Sequence, residues 1–259
     1  LHSTVKQLVL FYFLSIAIFI GCNSDSSSYK KELANPDWLH QIMGAYTDII
    51  VHDIFSPPVA SRNYAYTAIA AYEAARHLDS SYVSLGGQLH GLSALPEPEK
   101  GLEYSFELAA IKAMITTGKK FIFSEKDFSE FENTLMSKID KIHVPKEVYD
   151  RSIAYGDAVA KHIMAWADTD NYKQSRSFSK FTINLRDAAR WRTTPPMFMD
   201  AIEPHWNQIR PMALDSAGQF KPVPPTPFDT LPGSQFMKEA KEVFDTGKNL
   251  TEEQTLIAN

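Results

Sequence analysis

Cysteine is nearly absent. Cys22 stands alone, which excludes an internal disulfide framework and any multi-cysteine metal site. A basic surplus is missing too. The 26 Lys and Arg face 31 Asp and Glu, for a net charge of −5, and no stretch concentrates cations, which argues against nucleic acid as a partner. No apolar run reaches the roughly 20 residues that a membrane-spanning helix needs. The run from Leu8 to Ile20 is thirteen residues long and is interrupted by Ser15. No segment alternates apolar and polar residues for long enough to form a half-buried strand. The chain also lacks a phosphate-binding glycine loop, a nucleophile elbow and any internal repeat. What it does have is apolar residues at 44%, enough for a substantial core and too many for global disorder.

The N-terminus reads as an export address. Lys6 precedes the short apolar run, as in a secretory signal. Gly21-Cys22, followed by the polar Asn23-Ser24-Asp25-Ser26-Ser27-Ser28, resembles a bacterial lipoprotein cleavage box. Residues 1–22 are therefore expected as a signal with lipidation at Cys22, and 23–35 as a polar tether. That resemblance implies a lipid-anchored protein of the bacterial cell envelope, on the periplasmic or outer-membrane face, with the membrane as one partner.

Residues 36–168 read as a helical bundle. Asn35-Pro36-Asp37 combines a capping residue, a proline suited to the first turn and a first-turn acid. Behind it Leu39, Ile42, Met43, Tyr46, Ile49, Ile50 and Ile54 recur at helical spacing. Ser56-Pro57-Pro58 ends that helix. A second runs from Arg62 to His77, lined by Ala65, Ala68, Ala71, Ala74 and Ala75, small enough for close helix–helix approach. Gly86 to Pro98 is a loop, and Leu102 to Ile115 is apolar on several faces, as a central helix requires. Ser124 is read as the cap of a helix with the stripe Phe128, Phe131, Leu135, Ile139 and Ile142. Pro145 opens a fifth, with Val148, Tyr155, Val159, Ile163 and Trp166 facing inward. The class is all-α, a multi-helix bundle.

From 169 to 233 the texture changes. Nine of the fifteen prolines fall between Pro195 and Pro232, interleaved with Phe198, Trp206, Phe220 and Phe228. Proline blocks helix continuation, while aromatics need burial, so an ordered arm wrapped on the bundle is expected, with Trp191 and Trp206 clamping it. Residues 234–259 start further helices. Thr251-Glu252-Glu253-Gln254 fits a capping box, yet only five residues follow it. The chain is therefore expected to be cut inside an element.

One segment carries a family resemblance. Arg190-Trp191-Arg192-Thr193-Thr194-Pro195-Pro196, continuing through Glu203-Pro204-His205-Trp206 to Arg210-Pro211, resembles a stretch of bacterial proteins related to vanadium-dependent haloperoxidases and type-2 phosphatidic-acid phosphatases. The alanine-rich helix resembles the family's second helix. The resemblance implies that these residues belong to the helical N-terminal half of such an enzyme. Full-length relatives would use vanadate with peroxide and halide, or hydrolyse phosphate esters. They hold the oxyanion with a Lys and Arg-Pro motif, a Ser-Gly-His motif and a later Arg and His. An oxyanion needs several cationic and backbone donors around its oxygens and an axial histidine on its central atom.

Here no glycine is followed by histidine, and the only Arg-Pro is Arg210-Pro211, with Glu203 seven residues before it. An acid there repels an oxyanion. Trp191, Pro195, Pro196, Trp206, Arg210 and Pro211 are thus read as structural residues of the arm, with no catalytic, cofactor or metal residue assigned. Vanadate is expected only if the full-length protein is a haloperoxidase. The expected partners are the missing catalytic half or a second copy. The competing reading is a non-enzymatic, membrane-anchored helical lipoprotein that binds through the arm. Asp48/His52 and Glu73/His77, each four apart, offer two ligands at most, and solvated helix-face pairs are the preferred reading. His90 and His143 sit in loop-like stretches without an assigned partner.

Overall fold

The computed structural model describes residues 28–258. The signal segment and Cys22 lie outside them. Among the described residues every regular element is helical, as expected of an all-α chain. The first element departs from the tether reading. Helix α1 (Ser28–Leu33) buries Tyr29 and Leu33, and the Tyr29 hydroxyl donates to Glu103 at 2.9 Å. Burial, reinforced by that carboxylate, pushes the Tyr29 pKa up to about 12.

Helix α2 (Asp37–His52) buries Ile42, Tyr46 and Ile50, one residue per turn on a single face. Its start is held by Asn35, whose side-chain oxygen accepts the Asp37 N–H at 3.0 Å. Helix α3 (Pro57–Ala75) begins five residues before the expected Arg62. Proline at the first helical position lacks only an N–H that would have no partner there, so Ser56-Pro57-Pro58 both ends α2 and opens α3. The buried face of α3 carries Val59, Tyr66, Ala70 and Ala74, whereas Ala68 is exposed. A 3-10 turn (Arg76–Leu78) follows.

Helix α4 (Phe106–Lys119) starts later than Leu102, because the Ser105 hydroxyl caps it by accepting the Leu108 N–H at 3.3 Å. It is the central helix, packed against α2, α3, helix α5 (Glu125–Ile139) and helix α6 (Lys146–Ala167). Leu108, Ile111, Met114 and Ile115 are at most 3% exposed, so α4 is wrapped by apolar neighbours on several sides. The contact with α6 is close enough to require glycine. A Cβ built on Gly156 would lie 2.5 Å from the Ala109 carbonyl oxygen of α4.

Phe128, Leu135 and Ile139 of α5 are buried as expected, and Ile142 beyond it is too. Ser124, however, makes no side-chain cap. Its hydroxyl donates instead to Asp53 at 2.5 Å. A short helix α7 (Tyr172–Ser175) closes this unit, and the division from the second falls between Ser177 and Phe178.

The second unit, described by itself, is irregular up to helix α8 (Gln235–Lys248) and helix α9 (Glu252–Ala258). The Ser234 hydroxyl caps α8 by accepting the Met237 N–H at 3.2 Å. Both bonds of the predicted capping box are present: the Gln254 N–H donates to the Thr251 hydroxyl at 3.2 Å, and the Thr251 N–H donates to the Gln254 side chain at 2.9 Å.

Candidate functional site

The bundle unit carries a pocket of about 240 Å³ walled by residues of α3, the 120–123 loop and the 167–176 segment. At its wall lies Arg62, whose side chain is 7% exposed. Its Nε donates to Asp170 Oδ2 at 2.5 Å, Nη2 donates to the Ala167 carbonyl at 3.3 Å, and Nη1 reaches Asn63 Oδ1 at 3.5 Å. The guanidinium sits 4.5 to 5.0 Å from the ring centres of Tyr172, Tyr66 and Phe121. Asp170 is fully engaged as well. It accepts the Tyr66 hydroxyl at 3.0 Å and the Tyr172 N–H at 2.9 Å. Removing one partner of such a buried pair typically costs about 3–5 kcal/mol.

A second cluster surrounds Glu73, which is completely buried. Its carboxylate accepts the Ser84 hydroxyl at 2.9 Å and the Leu85 N–H at 2.5 Å, and Arg76 Nε lies 3.2 Å away. Arg76 also pairs with Glu97, and His77 Nε2 is 2.9 Å from the Tyr155 hydroxyl. Burial first, and then the neighbouring Arg76 charge, holds the His77 pKa below its ordinary value against the opposing pull of Glu97 and Glu73. The solvated reading therefore fails for Glu73, which ties the 79–105 loop to α3, while Asp48 and His52 are exposed as expected.

Ser124, His52 and Asp53 also converge, though they are distant or unremarkable in sequence. Ser124 Oγ is 3.1 Å and Asp53 Oδ1 3.3 Å from the same His52 nitrogen, Nδ1. A proton relay needs one ring nitrogen for the serine and the other for the acid, so this arrangement is structural. His90 offers its carbonyl to the Trp166 indole N–H at 2.9 Å, and His143 sits in a left-handed turn at φ 57°.

In the second unit, Trp191, Pro195 and Pro196 come together with Phe181, Met199 and Ile202 around a groove of about 630 Å³. Trp191 packs edge-on against Phe181 with ring centres 5.6 Å apart, yet remains 49% exposed. Trp206 lies in a 3-10 turn away from that groove, half-buried like Arg210 and Pro211.

No protein-family profile and no curated protein matches the chain. A solved structure does. The chain is similar to the crystal structure of what is described as the first bacterial vanadium-dependent iodoperoxidase, at 47% identity and a TM-score of 0.78, over 84% of this chain and 52% of that one. Identity at that level over most of the chain decides the matter. The fold is vanadium haloperoxidase-like. The expected likeness to vanadium haloperoxidases is thus borne out at the level of the fold, and the chain spans about half the length of that iodoperoxidase.

The residues at hand do not fit the vanadate that the haloperoxidase fold implies. The bundle's buried or half-buried Arg and Lys side chains are committed to protein acceptors: Arg62 to Asp170, Arg76 to Glu73 and Glu97, Lys112 and Lys119 to Glu132, and Arg151 to the Glu103 carbonyl and Glu147. The Arg62 pocket has two carboxylates and no histidine on its wall. A multiply charged oxyanion needs an axial histidine and unmatched donors converging on it. Among the described residues, no group of three His, Cys, Asp or Glu gathers as a metal site.

Proposed function

We propose that these residues form the helical scaffold of a vanadium-dependent haloperoxidase-type enzyme whose oxyanion donors lie in sequence outside the 259 given. The observation that carries this reading is the 47% identity to the iodoperoxidase, of which the chain spans 52%. The absence of a Gly-His pair from the sequence supports it. The reaction class is peroxide-dependent oxidation of halide, with iodide the first to assay because that relative is an iodoperoxidase. The scaffold's part is to bury a wide apolar face around α4 and so present a rigid support.

The test compares the 259-residue chain with a version extended along its natural reading frame. The short chain should show no rise in melting temperature with vanadate, since only a ligand that prefers the folded state stabilises it. It should also oxidise neither iodide nor bromide. The extended chain should gain both properties. Turnover by the short chain, lost on mutating one of its own residues, would overturn the proposal, as would an inactive extension carrying Ser-Gly-His. We also propose an envelope location through lipid on Cys22. Two anchor signals or two acyl chains are needed for stable attachment, so Cys22→Ser should release the protein from membranes, and unchanged partitioning would end that idea.

A further inference from the structure

We infer that the Arg62 pocket binds a small organic monoanion, a carboxylate on a ring-sized apolar body. This goes beyond the haloperoxidase reading and does not depend on it. Size sets the first limit. An apolar cavity of about 150 Å³ holds benzene, so the 240 Å³ here accommodates one substituted ring and not a nucleotide or a peptide. The chemistry of the wall sets the second. Phe55, Val59, Phe121 and Phe123 supply apolar surface, and Phe55 stacks on Phe123 with ring centres 4.8 Å apart.

The polar end is Arg62. A guanidinium has five N–H donors, and three meet protein acceptors. One donor remains on each terminal nitrogen, the pair that a carboxylate accepts. Three rings and Asp170 already fix the guanidinium in place, so a ligand need not order it, and preorganisation of this kind favours affinity.

Charge decides between an anion and a neutral ring. Asp170 cancels the Arg62 charge, and Asp168 matches Lys120 at 3.0 Å. Lys173 and Arg176, both exposed on the same wall, add two further cations. Cations therefore outnumber the acids on this wall, which favours an anion over a neutral ring. A vanadate-like oxyanion is disfavoured by the two carboxylates, whereas a monocarboxylate needs only the two spare donors.

The experiment titrates the full 259-residue chain with benzoate, using ligand-observed NMR and calorimetry, beside neutral benzyl alcohol. Benzoate should bind saturably and more tightly than benzyl alcohol. Lys173→Glu, a surface change that leaves the core intact, should weaken benzoate by about fivefold, the scale of one partly exposed ion pair. It should leave benzyl alcohol unchanged. Val59→Phe should remove binding of both by filling the pocket. If that variant fails to fold, the Lys173→Glu comparison decides alone. Absence of saturation by benzoate, equal affinity for the two ligands, or indifference of benzoate to Lys173→Glu would each overturn the inference.

Discussion

Asp53 does at the residue scale what the sequence assigned to Ser124. It accepts the backbone N–H groups of Phe123 and Ser124 at 2.7 and 3.1 Å and the Ser124 hydroxyl at 2.5 Å, so the start of α5 is tied down by an acid from the end of α2. Burial pushes its pKa up, but the hydrogen bonds from Ser124, Phe123 and His52 outweigh that and hold it below the ordinary aspartate value of 3.8. The folded state thus favours the charged form. Its contribution is complete above pH 3.8 and is lost as pH falls through the depressed folded value. Asp53→Asn should cost about 1–3 kcal/mol at pH 7, and urea midpoints should show the gap to the parent narrowing in acid. An equal gap at neutral and low pH would mean that shape, not charge, is what Asp53 supplies. Local pattern reading favoured Ser124 because a cap is normally sought within its own turn, and a partner 71 residues away leaves no local mark. Glu73 was more legible than it was taken to be. It lies seven residues after Tyr66 and one before Ala74, on the buried stripe of α3, whereas Asp48 falls off the stripe of α2.

At the scale of elements, what is local was readable and what is tertiary was not. The Thr251–Gln254 box formed as its spacing demands, because both of its hydrogen bonds close within one turn. The apolar periodicity of α2, α5 and α6 placed their inward faces, except that Ile54, expected on the α2 stripe, lies past the helix end at φ 56° and is 88% exposed. Helix starts shifted where a proline or a serine could serve either neighbour, as at Pro57 and Ser105. The α4–α6 contact offers a test of opposite signs. Alanine exceeds glycine in helix propensity by about 1 kcal/mol, so Gly44→Ala, on the exposed face of α2 with nothing within 4 Å of the new Cβ, should raise the melting temperature. Gly156→Ala gains the same propensity but drives its Cβ to 2.5 Å from a backbone oxygen, and overpacking of this kind costs about 1–3 kcal/mol. The clash wins, and thermal unfolding should occur earlier. A stabilised Gly156→Ala would mean that α4 and α6 can part without penalty.

For the whole molecule, class was the easiest property to read, since helical periodicity and the absence of alternation both act over many residues. The Arg62–Asp170 pocket was invisible, because it joins residues 108 apart that carry no shared spacing. The apolar faces of the last two helices lead to a final expectation. Val243 and Phe244 on α8 are 75% and 58% exposed, and Leu256 and Ile257 on α9 are 80% and 79% exposed. Large apolar side chains left in water favour association, and the net charge of −5 spread over 259 residues is a weak barrier to it. The 259-residue chain should therefore self-associate as its concentration rises through the micromolar range, seen as a growing sedimentation coefficient. Val243→Lys with Leu256→Lys places two charges on faces that bury nothing, so the fold should survive while the assembly dissociates. A parent chain that sediments as a monomer throughout, or an assembly indifferent to both lysines, would show that these faces are not what brings copies together.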